Sequence, residues 1–259
     1  MSELPSLYVT RPLPDVVLDA ARVHFDVKVR VKTSPMSDVE TATALAGYDA
    51  VLPTLGDPLG AGAFGGDIRA KMLGNFGVGY NHIDVAAAGA AGIVVTNTPG
   101  AVTDATADIG VMLMLMSARR AAEGERLVRS GQWEGWHPTQ MLGLHMSGKR
   151  VGIVGMGRIG QAIAHRCHYG FGMSVHYFNR SAKQLQFPAQ RVASLADLAR
   201  TVDFVVVAVP GGAETHHFID GHVFASMQAH AHFINIARGD VVDETALIAA
   251  LQGGQIAGA

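Results

Sequence analysis

The stretch VGIVGMGRIG, residues 151–160, decides the fold. Its first four residues form a continuous apolar run of strand length. Gly155, Gly157 and Gly160 follow at the spacing G-x-G-x-x-G. Ile159, Ile163 and Cys167 then recur every four residues, the spacing of one helix face that can lie on a sheet. Gly170 and Gly172 punctuate the end of that helix, and another apolar run begins near Ser174. A strand, a glycine turn, a helix and a strand in this order are the setting in which a dinucleotide pyrophosphate is bound. Gly155 permits the tight turn, Gly157 lets backbone approach the phosphates, and Gly160 lets helix and strand pack closely. The helix N-terminus adds unpaired N–H groups and the positive end of its dipole.

The same grammar extends outward in both directions. Short apolar runs occupy residues 7–10, 27–31, 50–53, 72–76, 93–96, 151–154, 175–178, 204–209 and 233–236, with helical patterns between them. Most are continuously apolar rather than alternating, as suits parallel strands covered on both faces. The class is α/β, with two doubly wound parallel-sheet domains. Thr98-Pro99-Gly100 marks the division, giving domains of residues 1–100 and 101–259. Residues 103–130 read as one long helix, its first half apolar nearly all round. That suits either an ordinary core helix or one buried between domains or subunits. The loop Trp133-Glu134-Gly135-Trp136-His137-Pro138 carries two large aromatics that suit a partner subunit or a local satellite core.

Composition narrows the functional classes. Hydrophobic residues make up 49% of the 259 and charged residues 16%, ample for buried cores and contrary to disorder. A net charge of −2 gives no attraction to nucleic acid or an anionic membrane. The single Cys167 excludes an intrachain disulfide and fits a reducing compartment. Residues 1–14 lack a basic segment followed by an apolar run, and the apolar stretch 109–116 is too short to span a bilayer. No metal-ligand pattern is read. A cytoplasmic protein is expected.

At the end of the second strand of the cofactor motif, a carboxylate would favour NAD by accepting from the ribose 2′-OH. Here the strand runs into Asn179, Arg180 and Ser181, with no acid. Arg180, helped by Ser181, can grip a 2′-phosphate, so NADP(H) is the expected cofactor, with NAD(H) as the alternative. Arg180 as an ordinary exposed turn residue also stays open.

Three further stretches complete an ordered set: NFGVGYNHID (residues 75–84), VAVPGGAETHHFI (207–219) and INIARGDVVDE (234–244). With GMGRIG, they resemble the D-2-hydroxyacid dehydrogenase family, most of all its glyoxylate/hydroxypyruvate reductase branch. The resemblance implies a flavodoxin-like substrate domain, an NAD(P)-binding Rossmann domain and an active site between them. It implies reduction of a small 2-keto acid to the D-2-hydroxy acid, and a homodimer formed through the cofactor domain. Arg238 would bind the substrate's carboxylate and keto oxygen. Backbone N–H groups at Leu55, Gly56, Val78 and Gly79 would hold the carboxylate. Met156, Arg158 and Ile159 would join the three glycines at the pyrophosphate. Thr106, Val209, Pro210, Thr215, Ala237 and Arg238 itself would line the rest of the cofactor site.

Chemistry supports Arg238 independently. Hydride delivery to a ketone develops negative charge on oxygen, and a planar guanidinium both orients a carboxylate and stabilises that charge. Arg238 also follows an apolar run, at the carboxyl end of a strand, where open α/β sheets bind ligands. Asp243 reads as the cap of a helix that Gly253 ends, and residues 255–259 read as the start of another strand.

In the family a His oriented by a Glu protonates the ketone oxygen, and both match positions beyond Ala259. The expectation is therefore a C-terminally truncated chain, its first domain lacking a return segment, and very weak as a catalyst alone. His216, His217, His222, His230 and His232 read as loop and helix residues, and no His has an evident carboxylate partner in a suitable place. The loop LPTLGDPLG, residues 52–60, lacks Lys and Arg, which disfavours a phosphorylated substrate. Three alternatives remain. One is a dinucleotide-binding regulator on the same fold, as in the C-terminal binding protein corepressors. The others are phosphoglycerate dehydrogenase and a formate or phosphite dehydrogenase.

Overall fold

In the computed structural model, which describes residues 4–259, the chain forms two compact units that part between Ala101 and Val102. The first unit runs β1 (Ser6–Val9), α1 (Asp15–Arg22), β2 (Asp26–Val29), α2 (Asp38–Gly47), β3 (Ala50–Leu52), β4 (Met72–Gly74), α3 (Val85–Ala90) and β5 (Val94–Thr96). All five strands are parallel, in the order β2-β1-β3-β4-β5. This is the flavodoxin-like order, and the winding reverses between β1 and β3. Helix starts are fixed locally. Ser37 and Glu40 form a capping box on α2, and Asp84 accepts from Ala87 N–H at the start of α3. Leu45, Val51, Leu59, Leu73 and Ala88 close the core beneath these helices.

The second unit runs α4 (Thr103–Ala118), α5 (Ala121–Arg129), β6 (Arg150–Val154), α6 (Arg158–Phe171), β7 (Ser174–Phe178), β8 (Ala189–Arg191), α7 (Leu195–Thr201), β9 (Phe204–Val207), α8 (Gly221–Ser226), β10 (His232–Asn235) and α9 (Glu244–Gln252). Its parallel sheet is ordered β10-β9-β6-β7-β8, and the winding reverses between β6 and β9. That is the Rossmann order without its sixth strand. Phe204–Val207 is buried at every residue, which is why β9 reads as a continuous apolar run. On one face of the sheet, α4 and α6 pack where Ile163 lies against Gly110 and where the thiol of Cys167 meets Met114 Sδ at 3.9 Å. On the other face, Leu198, Val223, Phe224 and Ala250 bring α7, α8 and α9 against the strands.

Each of the nine apolar runs lies in a strand, trimmed or shifted by one or two residues. The tenth strand, β8, has no apolar run because it is a three-residue edge strand with Gln190 and Arg191 exposed. Residues 103–130 form two helices, not one. Leu144 N–H docks onto Ala118 O, and Arg120 adopts a left-handed conformation (φ 55°) that turns the chain. Arg120 then holds Glu123 and the Leu142 carbonyl. The loop around residue 143 is packed so closely on the end of α4 that a straight helix has no room. In α4, Ala107, Gly110, Met114 and Ala118 are buried while Ile109, Met112 and Met116 are exposed in this chain, so burial all round is not observed.

The other end-of-chain expectations divide. Asp243 does cap α9, accepting from Ala246 N–H, and Gly253 follows its last residue. Residues 255–259 form no strand. They run beside the start of β10 and make one parallel bridge, His232 to Gly258.

Candidate cofactor and substrate site

The crevice of the second unit opens where the winding reverses, at the carboxyl ends of β6 and β9. Gly155 leaves β6 with φ +97°, and a Cβ there would lie 2.8 Å from Val209 Cγ1 and 2.9 Å from the Ala208 backbone. A side chain at Gly160 would collide with the Gly155 carbonyl and press on Ile153 Cγ2. These two glycines let α6 and the β9 loop close on β6. Gly157 is the opposite case, since a Cβ there would meet no protein atom within 4 Å. It is also the N-cap of α6 and supplies no side-chain acceptor. By contrast Ser194, Asp220 and Asp243 cap α7, α8 and α9. The N–H groups of Arg158, Ile159 and Gly160 at the start of a 14-residue helix therefore have no side-chain cap beside an open backbone position. A pyrophosphate fits this setting.

Asn179, Arg180 and Ser181 meet the crevice differently from one another. Asn179 Oδ1 accepts from Met156 N–H (3.2 Å), and its Nδ2 donates to Ser181 O (2.9 Å). Asn179 thus braces the glycine loop. Arg180 is exposed and donates to Glu214 Oε2 at 3.0 Å. Arg191, which sequence reasoning passed over, donates to the carbonyls of Asn179 and Arg180. On the β9 side, Thr215 Oγ1 donates to Pro210 O at 2.7 Å, so these two residues shape one tight loop.

Arg238 sits in a turn built by Asn235 at the end of β10. Asn235 Oδ1 accepts from Ala237 N–H (2.9 Å), and Nδ2 donates to Arg238 O (2.8 Å). Arg238 Nη1 donates to Ala237 O, while its Nε is buried and makes no hydrogen bond. A buried guanidinium donor left unmet carries a desolvation cost that an anionic ligand relieves. Asn235 and Ile236, with Val102, Ala105, Thr106 and Ile109, line a mainly apolar hollow of about 350 Å³. Thr106 and the turn carrying Arg238 therefore share one neighbourhood of the second unit. Asn235, the residue that sets this turn, was not among the expected site residues; its signal was an amide at a strand end.

In the first unit, the loops after β3 and β4 lie side by side through a parallel bridge between Thr54 and Phe76. Asn75 Nδ2 donates to the carbonyls of Gly77 and Gly79, and Asn97 Nδ2 donates to Val78 O. In a trans peptide the N–H points opposite to the preceding carbonyl. The N–H groups of Val78 and Gly79 are therefore turned away from the amides that hold the loop. Leu55 and Gly56 follow the same logic. Thr54 O accepts from Asp57 N–H, and Leu55 O accepts from Arg11 Nη2 (3.0 Å).

A cation thus reaches the loop that contains none in its own sequence. Its charge is already engaged, because Arg11 lies 3.8 Å from the fully buried Asp57. Asp57 also accepts from Thr54 N–H (2.8 Å), Thr10 Oγ1 (2.6 Å) and Met36 N–H (3.0 Å). Neither Arg11 nor Asp57 was an expected site residue, since apart from Thr54 their partners lie 21 to 47 positions away in sequence.

One His–carboxylate pair does form, His230 Nε2 with Asp203 Oδ1 at 2.7 Å. It lies at the amino ends of β9 and β10, with Arg150 at the start of β6, the opposite edge from the glycine loop. His232 is the first residue of β10, not a loop residue, and its Nδ1 lies 2.8 Å from Ser117 Oγ. Burial first, and then the charge of His230, hold His232 below the ordinary His value.

Residues 111–259 match the family described as "D-isomer specific 2-hydroxyacid dehydrogenase, NAD binding domain". The glyoxylate reductase of Thermococcus kodakarensis is 40% identical over 262 residues, covering 98% of this chain and 78% of that protein. The glyoxylate reductase of Pyrococcus horikoshii is likewise 40% identical, with the same coverage. Among solved structures, an NADPH-dependent glyoxylate/hydroxypyruvate reductase from Sinorhizobium meliloti, in complex with NADP and malonate, superposes with a TM-score of 0.84. It is 32% identical and covers 97% of this chain and 77% of its own. The TT0316 protein from Thermus thermophilus superposes with a TM-score of 0.89 at 38% identity, covering 98% of this chain and 80% of its own.

Proposed function

The chain belongs to the D-isomer specific 2-hydroxyacid dehydrogenase family of NAD(P)-dependent oxidoreductases acting on CH–OH groups, and from that premise we propose that it reduces glyoxylate or hydroxypyruvate with NADPH preferred to NADH. The observation that carries the cofactor preference is the strand end at Asn179-Arg180-Ser181, which offers a guanidinium and no carboxylate to the ribose 2′ position. Bound NADPH supplies the hydride. The chain's own residues bind and orient. Gly155, Met156, Gly157, Arg158, Ile159 and Gly160 take the pyrophosphate. Thr106, Val209, Pro210, Thr215 and Ala237 line the remaining cofactor site. Arg238 holds the substrate carboxylate and stabilises charge developing on the keto oxygen. The N–H groups at Leu55, Gly56, Val78 and Gly79 take the carboxylate.

The substrate choice rests on the loop at residues 52–60. The cation that reaches this loop from just after β1, Arg11, is engaged by Asp57 and Leu55 O, which leaves it poorly placed for a substrate phosphate. A homodimer is assigned to the second unit, where Ile109, Met112 and Met116 form an exposed apolar face on α4 and Trp136 is 79% exposed. No helix among the described residues is long and apolar enough to cross a membrane.

The test is a substrate and cofactor panel. Glyoxylate and hydroxypyruvate should be turned over, at the low rate expected of this chain alone, with a higher kcat/KM with NADPH than with NADH. A higher value with NADH removes the cofactor preference, and faster reduction of phosphohydroxypyruvate reverses the substrate ranking. Arg238→Ala should lower reduction far more than it weakens NADPH binding.

A further inference from the structure

The adenosine end of the crevice is spanned by one ion pair. Arg180 follows β7, Glu214 lies in the single turn Ala213–Thr215 after β9, and β7 and β9 flank β6 on either side. The Arg180–Glu214 contact of 3.0 Å therefore reaches across the carboxyl end of β6, over about two strand spacings. The backbone beneath Arg180 is stapled from two directions. Arg191 Nε and Nη2 hold Asn179 O, and Nη2 also holds Arg180 O. On the other side the Asn179 side chain ties the loop to Met156 and Ser181. The Arg180 side chain rises from this fixed base, 87% exposed, and pairs with a carboxylate that is 84% exposed.

A pair so exposed adds little to folding, because water and salt screen it. Its effect on a ligand is another matter. We propose that Glu214 is a specificity-determining residue that occupies Arg180 until a 2′-phosphate displaces it, and so sets the margin by which NADPH is preferred to NADH. The proposal rests on Arg180 being the 2′-phosphate ligand, as read above. A 2′-phosphate carries more charge than a carboxylate and three acceptor oxygens, so it wins the guanidinium. The exchange still breaks one ion pair and leaves the Glu214 carboxylate near a second anion. NADH carries a neutral 2′-OH and leaves the pair intact. Glu214 therefore lowers NADPH affinity and is indifferent to NADH.

The test is direct binding, by fluorescence titration of NADPH and NADH into the purified chain at low salt. Glu214→Gln should tighten NADPH about three- to fivefold, the size of one surface ion pair, and leave NADH unchanged. The gain should vanish in an Arg180→Gln background. Unchanged NADPH affinity in Glu214→Gln, an equal shift for both cofactors, or a gain that survives Arg180→Gln would each overturn the proposal. Failure of the underlying cofactor reading looks different. Wild-type protein would then prefer NADH, or Arg180→Gln alone would leave NADPH binding unaltered.

Discussion

At the point where the first sheet reverses its winding, a carboxylate is sealed in; at the matching point of the second sheet, glycines leave room. Both sheets are parallel, and both open a crevice at the carboxyl ends of neighbouring strands, β1 and β3 in one and β6 and β9 in the other. In the first, Asp57 fills the space, drawing in Thr10, Thr54, Met36 and Arg11 from three separate segments. In the second, Gly155 and Gly160 pull helix and loop inward, and Gly157 leaves its place open. Topology supplies the crevice. The side chains placed there decide whether it becomes an anchor for loops or a seat for a ligand.

The contrast predicts effects of different kinds in the two units. The largest is Asp57→Ala, which strands the Arg11 charge and several donors and should cost about 3 kcal/mol of stability, read by urea unfolding. Asp57→Asn should recover part of it by keeping an acceptor. Neither change should alter NADPH affinity; a shifted Kd would mean the two switch points are coupled. Next comes Gly160→Ala. Its Cβ would force α6 away from Gly155, at about 1–3 kcal/mol, and weaken NADPH binding by up to roughly a hundredfold. Full affinity in that variant would detach the glycine packing from the ligand seat. Asn179→Ala removes only the brace on Met156, so a loss of about 1 kcal/mol, roughly fivefold in cofactor affinity, is expected from the same titration.

The smallest effect lies at the far edge of the second sheet. Burial would raise the Asp203 carboxyl, but hydrogen bonds from Arg150 and His230 outweigh it and hold the group well below the usual carboxylate range. That stability is present above about pH 4 and is lost as pH falls toward the depressed value. His232, held neutral by burial, adds a loss that begins as pH drops below about 6.5. The urea midpoint should therefore fall modestly from about pH 7.5 to about pH 5, and His232→Gln should flatten that slope. An unchanged slope in the variant would remove His232 as its source.

Which of these features can be read from sequence follows from the range of the interactions. β6, β9 and β10 announce themselves because both faces are covered, so every residue of Phe204–Val207 is apolar. The glycine loop is readable because its glycine spacing, the strand before it and the helix after it lie within one β-α-β unit, although Gly155 also packs against Ala208 and Val209 beyond it. β8 is silent, since three edge residues need no apolar run. The break after α4 is invisible for a related reason. Arg119 and Arg120 are acceptable helix residues, and the loop that displaces the helix comes more than 20 positions later. Asp57 looks like a solvated loop acid until Thr10, 47 residues earlier, is brought beside it. The position of Asn179 at a strand end is legible in sequence, but its amide's hold on Met156 N–H and Ser181 O shows only once β6 and β7 are paired. Glu214 and Arg191 could not be singled out, because each acquires meaning only from a neighbour supplied by another strand.

The lone thiol has a consequence of its own. Cys167 lies fully buried between α4 and α6, and burial pushes its pKa up to about 12, so in the closed protein it is neither reachable nor ionised. An alkylating reagent can modify it only while the helices are apart. The rate of that modification is thus a clock for opening of the second unit alone. Slowing of the clock by NADPH would convert cofactor binding into a measurable closing of the interior.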